Sequence, residues 1–420
     1  MMRARTLLLA GTLVVAGCSL APKTVLPAPP VPQSWPVGDA YLLQSEAALP
    51  ILSYKSMFTD PRLQALADQA LTNNRDLRVA YANVAAARAQ ARVTRAGQFP
   101  ALGITAGAGY ADRGGGTGGL GGGSSGDFSL RGGITAFEID LFGKLANATE
   151  ADRNRALATE AASRTVRLAL IANLADAWAT YGADRDLIVT ARDTAANARE
   201  NVRLTRARLD GGVAPRTDLR QAEQILATAE DAIAAQTSAL AQDENLIRLL
   251  VGGDVDRALL PASLSDVTAA IAAPPAGVSS QILLRRPDVI EAEYGLRAAN
   301  ADIGVARAQF FPSISLTGLL GFTSNALSGL FSSGAFSYSV GSDASVPIFD
   351  AGGRRAGVAV SQAQRDAALA GYEGAIQTAF REVADALAVQ GTIAERARAA
   401  AANTEAAADT AVLTDARYKG

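Results

Sequence analysis

The sequence predicts a mainly helical chain that carries four short β-strands suited to a membrane, the whole built as two copies of one layout. Three observations carry this: four runs of apolar–polar alternation, two proline-free helical stretches of more than sixty residues, and an internal repeat at about 210 residues.

The strands come first. Ala101 to Ala111 alternates, with Leu102, Ile104, Ala106, Ala108 and Tyr110 against Gly103, Thr105, Gly107 and Gly109. Phe128 to Ala136 follows suit with Phe128, Leu130, Ile134 and Ala136, and its register flips near Phe137, as at a bulge or a membrane boundary. Ser313 to Thr323 sets Ile314, Leu316, Leu320 and Phe322 against Ser313, Ser315, Thr317 and Gly321, with Leu319 breaking the polar face. Phe336 to Ile348 alternates in the same way. The expected strands are therefore about 101–111, 127–139, 313–323 and 336–348. Runs of roughly ten residues with one apolar and one small, polar face suit tilted strands in a bilayer around a wet lumen. Four strands cannot close a barrel alone, and an open sheet in lipid leaves backbone groups unpaired. Three copies would supply twelve.

The joining loops, Asp112 to Gly126 and Ser324 to Gly334, are rich in glycine and serine and read as solvated tips. The first is no phosphate-binding loop: it lacks the GK[ST] ending and lies between two alternating runs.

The helices are too long for a globule. From Leu145 to Leu209 there is no proline, and only Gly182 interrupts; Arg354 to Lys419 is similar. At about 1.5 Å per residue each is roughly 97 Å of helix. Asp152, Arg153, Arg155, Glu160, Arg164 and Arg167 keep the first from being a membrane span. Val166, Leu170, Leu174 and Trp178 form a packing stripe, read as coiled-coil core. Gly182 and Gly391 are expected to mark a break or bend.

The repeat ties these parts together. Arg95-Ala96-Gly97-Gln98-Phe99-Pro100 matches Arg307-Ala308-Gln309-Phe310-Phe311-Pro312, 212 residues later. Leu174-Ala175-Asp176-Ala177-Trp178 matches Val383-Ala384-Asp385-Ala386-Leu387, and Arg206 to Gly211 matches Asp415 to Gly420, both at 209. The first copy continues with a return helix, Thr217 to Leu250. The second reaches only Gly420, so the duplication predicts about forty further residues and the chain reads as a fragment.

At the N-terminus, Arg3 and Arg5 precede a short apolar run, Thr6 to Gly17, too brief to span a bilayer but suited to a signal peptide. It ends Val15-Ala16-Gly17-Cys18, which resembles the bacterial lipobox, making Cys18 the expected lipidation site. Ser19 in place of an aspartate favours the outer membrane. Pro22, Pro27, Pro29, Pro30, Pro32 and Pro36 then read as an extended tether. The expected division is 1–17 signal peptide, 18–54 tether, 55–253 first repeat, 254–278 linker and 279–420 second repeat.

Composition excludes several classes. Net charge is −2, and without the first 17 residues 37 basic face 41 acidic side chains, so no nucleic-acid partner is expected. Histidine is absent, which removes a Ser-His-Asp triad and the common His-bearing zinc sites. Cys18 is the only cysteine, so there is no internal disulfide. Glu138 and Asp140 are carboxylates that nothing fixes as an acid–base pair. The chain is read as neither an enzyme nor the holder of a cofactor or metal.

Specific stretches then carry a resemblance. They are Leu283-Leu284-Arg285-Arg286-Pro287-Asp288-Val289, Ala292-Glu293, Ala298-Ala299-Asn300-Ala301-Asp302-Ile303-Gly304-Val305-Ala306 and Phe310-Phe311-Pro312, with Phe58 and Asp60, Asn74 with Asp76-Leu77, and Phe142-Gly143-Lys144. With the lipobox and repeat, nearly the whole chain resembles the TolC-like outer-membrane factors of tripartite efflux pumps, in the lipoprotein branch associated with RND pumps. That resemblance implies a homotrimer in the Gram-negative outer membrane, with a twelve-strand barrel and a periplasmic helical barrel. It also implies a periplasmic adaptor (membrane-fusion protein) and an inner-membrane RND transporter as partners, and passive export of small molecules. It makes Arg208, Leu209, Gly211, Gly212, Val213 and Thr217 an adaptor-docking tip. Asp218 reads by default as a favourable first-turn charge, with a pore gate partnered by Arg216 as the alternative. Arg285-Arg286-Pro287-Asp288 reads as a helix start. The rival readings are a protein-secretion channel of the same architecture and a non-conducting periplasmic structural lipoprotein.

Overall fold

A computed structural model describes residues 19–32, 53–112, 124–272 and 280–419. The signal segment, Cys18 and most of the first glycine-rich loop lie outside those residues. In chain order the elements are α1 (Tyr54–Met57), α2 (Pro61–Asn73), α3 (Arg75–Ala96), β1 (Leu102–Asp112), β2 (Ser124–Ile139), α4 (Lys144–Asp210), α5 (Arg216–Val251), α6 (Leu264–Ala270), α7 (Pro287–Ala308), β3 (Ser313–Ser324), β4 (Phe336–Ser345) and α8 (Gly353–Lys419). Short 3-10 turns fall at Arg257–Leu259, Ser280–Arg285 and Leu327–Gly329. Among the described residues, no helix is long and apolar enough to cross a membrane.

The chain forms two units, and each draws on both repeats. The first takes Met1–Pro29, Val84–Thr159 and Ile290–Ala375; the second takes Pro30–Asn83, Glu160–Val289 and Ile376–Gly420.

The first unit holds the sheet, antiparallel in the order β1-β2-β3-β4. β4 stops at Ser345, three residues short of the alternating run. Pro347 has no N–H to donate to a ladder, so the apolar residues Val346 and Ile348 continue the pattern without continuing the strand. Beside the sheet, α7 carries the Asn300-Ala301-Asp302-Ile303-Gly304 stretch, and its polar members all have partners. Asp302 pairs with Arg155 of α4, which also meets Asp152 at 2.7 Å. Asn300 donates to Pro22 O at 2.6 Å and to Thr24 Oγ1 at 3.0 Å, Arg307 donates to Leu20 O at 3.2 Å, and Ser19 Oγ donates to Asn147 at 2.7 Å. The described part of the tether, 19–32, has no helix or strand, and these bonds fasten its first residues to α7 and α4.

The second unit is built around a core, and the 166–178 stripe enters it. Leu170, Leu174 and Trp178 of α4 are buried with Leu63, Leu66, Ala67 and Ala70 of α2, Leu77 of α3, and Ile247 and Val251 of α5. The stripe is thus the wall of a multi-helix core and not a two-helix seam. The stretch expected as a linker, 254–278, contributes to the same core through Leu260, Val267 and Ala270. A bridge between Phe58 and Ile271, with Thr59 N donating to Ala270 O at 2.7 Å, pins it in place.

Gly182 does not break α4; the helix continues from Lys144 to Asp210, and α8 likewise passes through Gly391. Gly182 is small for a packing reason. A Cβ there would meet Val267 Cγ2 at 2.6 Å and Ser263 O at 3.1 Å. The residues of the remaining characteristic stretches also have structural tasks. Asp60 caps α2, accepting from Arg62 N at 2.7 Å. Buried Asn74 accepts from Leu77 N and donates to Leu250 O, both at 2.9 Å. Pro287 opens α7, and Arg286 joins Asp288 at 2.8 Å and Glu382 at 2.7 Å.

Candidate functional site: a two-faced sheet and a helical tip

Cross-strand register sorts the sheet into two chemically distinct faces. One row runs Ala106, Leu130, Phe322 and Phe336 across all four strands. The adjacent row on the other face runs Thr105, Arg131, Gly321 and Ser337. The apolar face also carries Leu102, Ile104, Leu320, Tyr338 and Val340, and in the single chain these are exposed, Leu102 and Val340 both at 82%. A face so apolar and so uncovered needs a non-aqueous partner. The opposite face is small or polar: glycine, serine and threonine dominate, and Leu319 is the interruption.

The register of β2 shifts between Ile134 and Phe137, where Ala136 adopts a φ of 52° and its N–H donates to Thr317 Oγ1 at 3.2 Å. The bulge returns Phe137 and Ile139 to the apolar side, opposite Leu316 and Ile314. Alternation alone would have turned them to the polar face.

The strand-to-helix turns repeat one device 210 residues apart. Asp140 Oδ2 accepts from Ala146 N at 2.7 Å; Asp350 Oδ2 accepts from Arg354 N at 2.9 Å, and its Oδ1 accepts from Gly352 N at 3.1 Å. Arg354 Nε also donates to Asp350 at 2.7 Å, and these donors hold the Asp350 carboxyl down to a pKa of about 2. Glu138 accepts from Lys144 Nζ at 3.1 Å on both oxygens. Glu138 and Asp140 are therefore each committed to a structural partner. Phe142 stacks on Phe311 at 4.6 Å between centroids.

The tip lies in the second unit, between α4 and α5. Gly212 is left-handed at φ 75°; its N–H bonds Leu209 O at 2.9 Å, and Val213 N–H bonds Arg208 O at 2.9 Å. This pair of bonds is the Schellman helix end, which a glycine permits without a Cβ penalty. Pro215 then caps α5. Leu209 packs on Val202, Leu219 and Ala222, while Val213 is 69% exposed at the apex. The turn thus brings Arg208, Leu209, Gly211, Gly212, Val213 and Thr217 together. No ion pair joins Arg216 to Asp218 among the described residues; Asp218 N bonds Pro215 O at 3.2 Å, and Thr217 Oγ1 bonds Asp218 Oδ1 at 3.4 Å. Sequence reading missed the pairs that tie α4 to α5 behind the tip, Arg206–Glu223 at 3.0 Å and Arg199–Glu230 at 2.9 Å. Interleaved charges on both helices were the available signal, but partners in an antiparallel hairpin depend on its register.

An antiparallel sheet with a lipid-like face, joined to helices of 67 residues in each repeat, defines a TolC-like outer-membrane channel fold. Residues 66–253 and 278–420 match the outer membrane efflux protein family, and the chain belongs to it. It is 40% identical over 397 residues to the solvent efflux pump outer membrane protein SrpC of Pseudomonas putida, covering 93% of this chain and 84% of that protein. It is 39% identical over 413 residues to the outer membrane protein OprJ of Pseudomonas aeruginosa, covering 97% and 85%. Among solved structures, the open state of the Neisseria gonorrhoeae MtrE outer membrane channel matches with a TM-score of 0.81 at 30% identity, over 96% of this chain and 89% of that one. The outer-membrane channel OprN matches with a TM-score of 0.83 at 31% identity, again over 96% and 89%. The protein is thus an outer-membrane efflux channel component of a Gram-negative bacterium.

Proposed function

We propose that three copies of this chain close one twelve-stranded barrel, with β4 of each copy pairing with β1 of the next, and that the resulting duct passes small organic molecules outward. The observation that carries this is the pair of open sheet edges. Among the described residues β1 pairs only with β2 and β4 only with β3, yet the sheet has an exposed apolar face. Unpaired backbone groups in a bilayer each cost several kcal/mol, of order ~4 per group, so the edges must be closed by other chains.

Within this reading the tip around Val213 receives a periplasmic adaptor, and an inner-membrane RND transporter drives the cargo. Arg216 and Asp218, unpaired with each other inside the chain, lie where three tips would converge and can act as gate charges. Cys18 carries lipid, adding to the barrel's hold on the membrane. The duct does no chemistry. The solvent efflux relative supports this cargo class, and the absence of histidine, with only three methionines, disfavours a metal-binding lumen.

Planar-bilayer recording of the purified protein tests the reading, with the oligomer's mass in detergent measured on the same sample. A trimer giving discrete conductance steps is the expected result. A protein that remains monomeric, or a trimer that never conducts with adaptor present, overturns it in favour of a structural lipoprotein.

A further inference from the structure

The described strands contain a single basic residue, Arg131. Its placement is specific. β2 runs from Ser124 to Ile139, so Arg131 falls at its middle. On the lipid face a mid-bilayer arginine would cost roughly 2–4 kcal/mol. The register puts it on the other face, opposite Thr105 and Gly321, with Ser337 next in the row. Its neighbours there are small, so its guanidinium is the longest side chain of the row. It is exposed, and one nitrogen donates to Thr323 Oγ1 at 3.2 Å. An ionisable residue at mid-membrane depth marks a permeation path by default.

We infer that Arg131 sets the ion selectivity of the pore: three copies form a basic ring at mid-membrane that favours anionic over cationic solutes. This rests on the trimeric barrel proposed above. Twelve strands spaced about 4.8 Å apart and tilted about 40° close at a radius of roughly 12 Å. An arginine reaches about half that distance inward, so its charge lies within the ~10 Å Debye length of the axis at 0.1 M salt. Acidic residues on the same face do not cancel it. Asp127 is four residues away along β2, about 13 Å. Asp343 lies opposite Ser315, six positions along β3 from Gly321 in the Arg131 row, about 20 Å away. Glu138, in the Asp343 row, is already neutralised by Lys144. The lumen therefore presents a basic zone between two acidic ones, each acting separately.

The test is the reversal potential of single channels across a KCl gradient. Arg131→Gln should raise the cation-over-anion permeability ratio about twofold or more near 0.1 M salt, and the difference should shrink near 1 M, where the Debye length is about 3 Å. Arg131→Lys should keep the original ratio. Arg131→Cys provides a second route through labelling. A cationic methanethiosulfonate should restore the ratio and an anionic one raise it further, with the unsubstituted chain treated alike as control. Channels of Arg131→Gln or unlabelled Arg131→Cys with an unchanged ratio overturn the inference while leaving the barrel intact. An unsubstituted protein that forms no channel overturns the barrel reading, and this inference with it.

Discussion

The indole Nε1 of Trp178 donates to the carbonyl oxygen of Leu259 across 2.9 Å, fastening the segment that follows the first helical hairpin to the first long helix. The ring is fully buried in the core of its unit, and the Arg62 guanidinium lies 5.7 Å from its centroid. Trp178→Phe should keep most of the packing but strand the Leu259 carbonyl, costing about 1–3 kcal/mol. Trp178→Ala should cost about 3–5 kcal/mol through the cavity it leaves. Urea unfolding in detergent, followed by helix circular dichroism, checks both. Equal stability of the two variants would show that the hydrogen bond and the ring's volume do not contribute as described.

Gly182 makes a stricter demand, because the obstacle includes backbone. Gly182→Ala drives a methyl toward Val267 Cγ2 and Ser263 O, and overpacking of this kind costs about 1–3 kcal/mol despite alanine's better helix propensity. Val267→Ala in the same chain should recover part of the loss, since it removes the nearest of the three obstacles, Ser263 O and Pro261 Cγ (3.2 Å) remaining. A double-mutant cycle on unfolding midpoints reads the coupling; strictly additive effects would exclude the contact as the cause.

At the second strand-to-helix turn, the hydrogen bonds from Arg354 and Gly352 depress Asp350 to a pKa of about 2, below its ordinary value of 3.8. A carboxylate with a lowered folded-state pKa adds stability that is fully present above the unfolded value and is lost as pH falls through the folded one. The contribution of this turn should therefore hold above about pH 4 and fade between about pH 4 and pH 2. Asp350→Asn should flatten the pH dependence of stability in that window and leave it unaltered at pH 6 to 8. A variant whose stability still falls with the original slope would place the titration elsewhere.

Two tip variants separate folding from docking. Gly212→Ala must hold a side chain at φ 75° and should cost about 1 kcal/mol in local stability. Val213→Asp changes an exposed apex and should leave the unfolding midpoint within about 0.5 kcal/mol. It should nevertheless weaken co-purification of the adaptor and sensitise cells to exported organic solutes. Normal adaptor capture and normal resistance in Val213→Asp cells would remove this apex from the docking surface.

Periodicity made the membrane strands and long helices legible because it records which face of each element is buried or lipid-exposed. It placed the β1–β3 strands to within a few residues, and the Gly211-Gly212 pair correctly marked a reversal. It allowed a break at Gly182, where the helix runs on, since an isolated glycine in a helix can mark an interruption or a close approach, and only the position of Val267 shows the close approach. It extended β4 too far because alternation is blind to the missing N–H of Pro347. The stretch 254–278 looked like a linker because its apolar residues are too sparse for a period, yet Leu260 and Val267 are buried in a core assembled from distant helices.

By itself, then, the sequence determined the duplicated layout, the element types and the chemical contrast between the sheet's faces, all of which follow from local spacing. Only the tertiary structure decided which side chains share a row, a cap or a core. Arg131 is the clearest case. As one residue in a glycine-rich strand it carries no local signal, and its meaning comes from lying opposite Thr105 and Gly321, residues 26 positions before it on the neighbouring strand and far along the chain in the second repeat. Register is a long-range property, set by a bulge, two turns and the pairing of both repeats, and no window of sequence contains it.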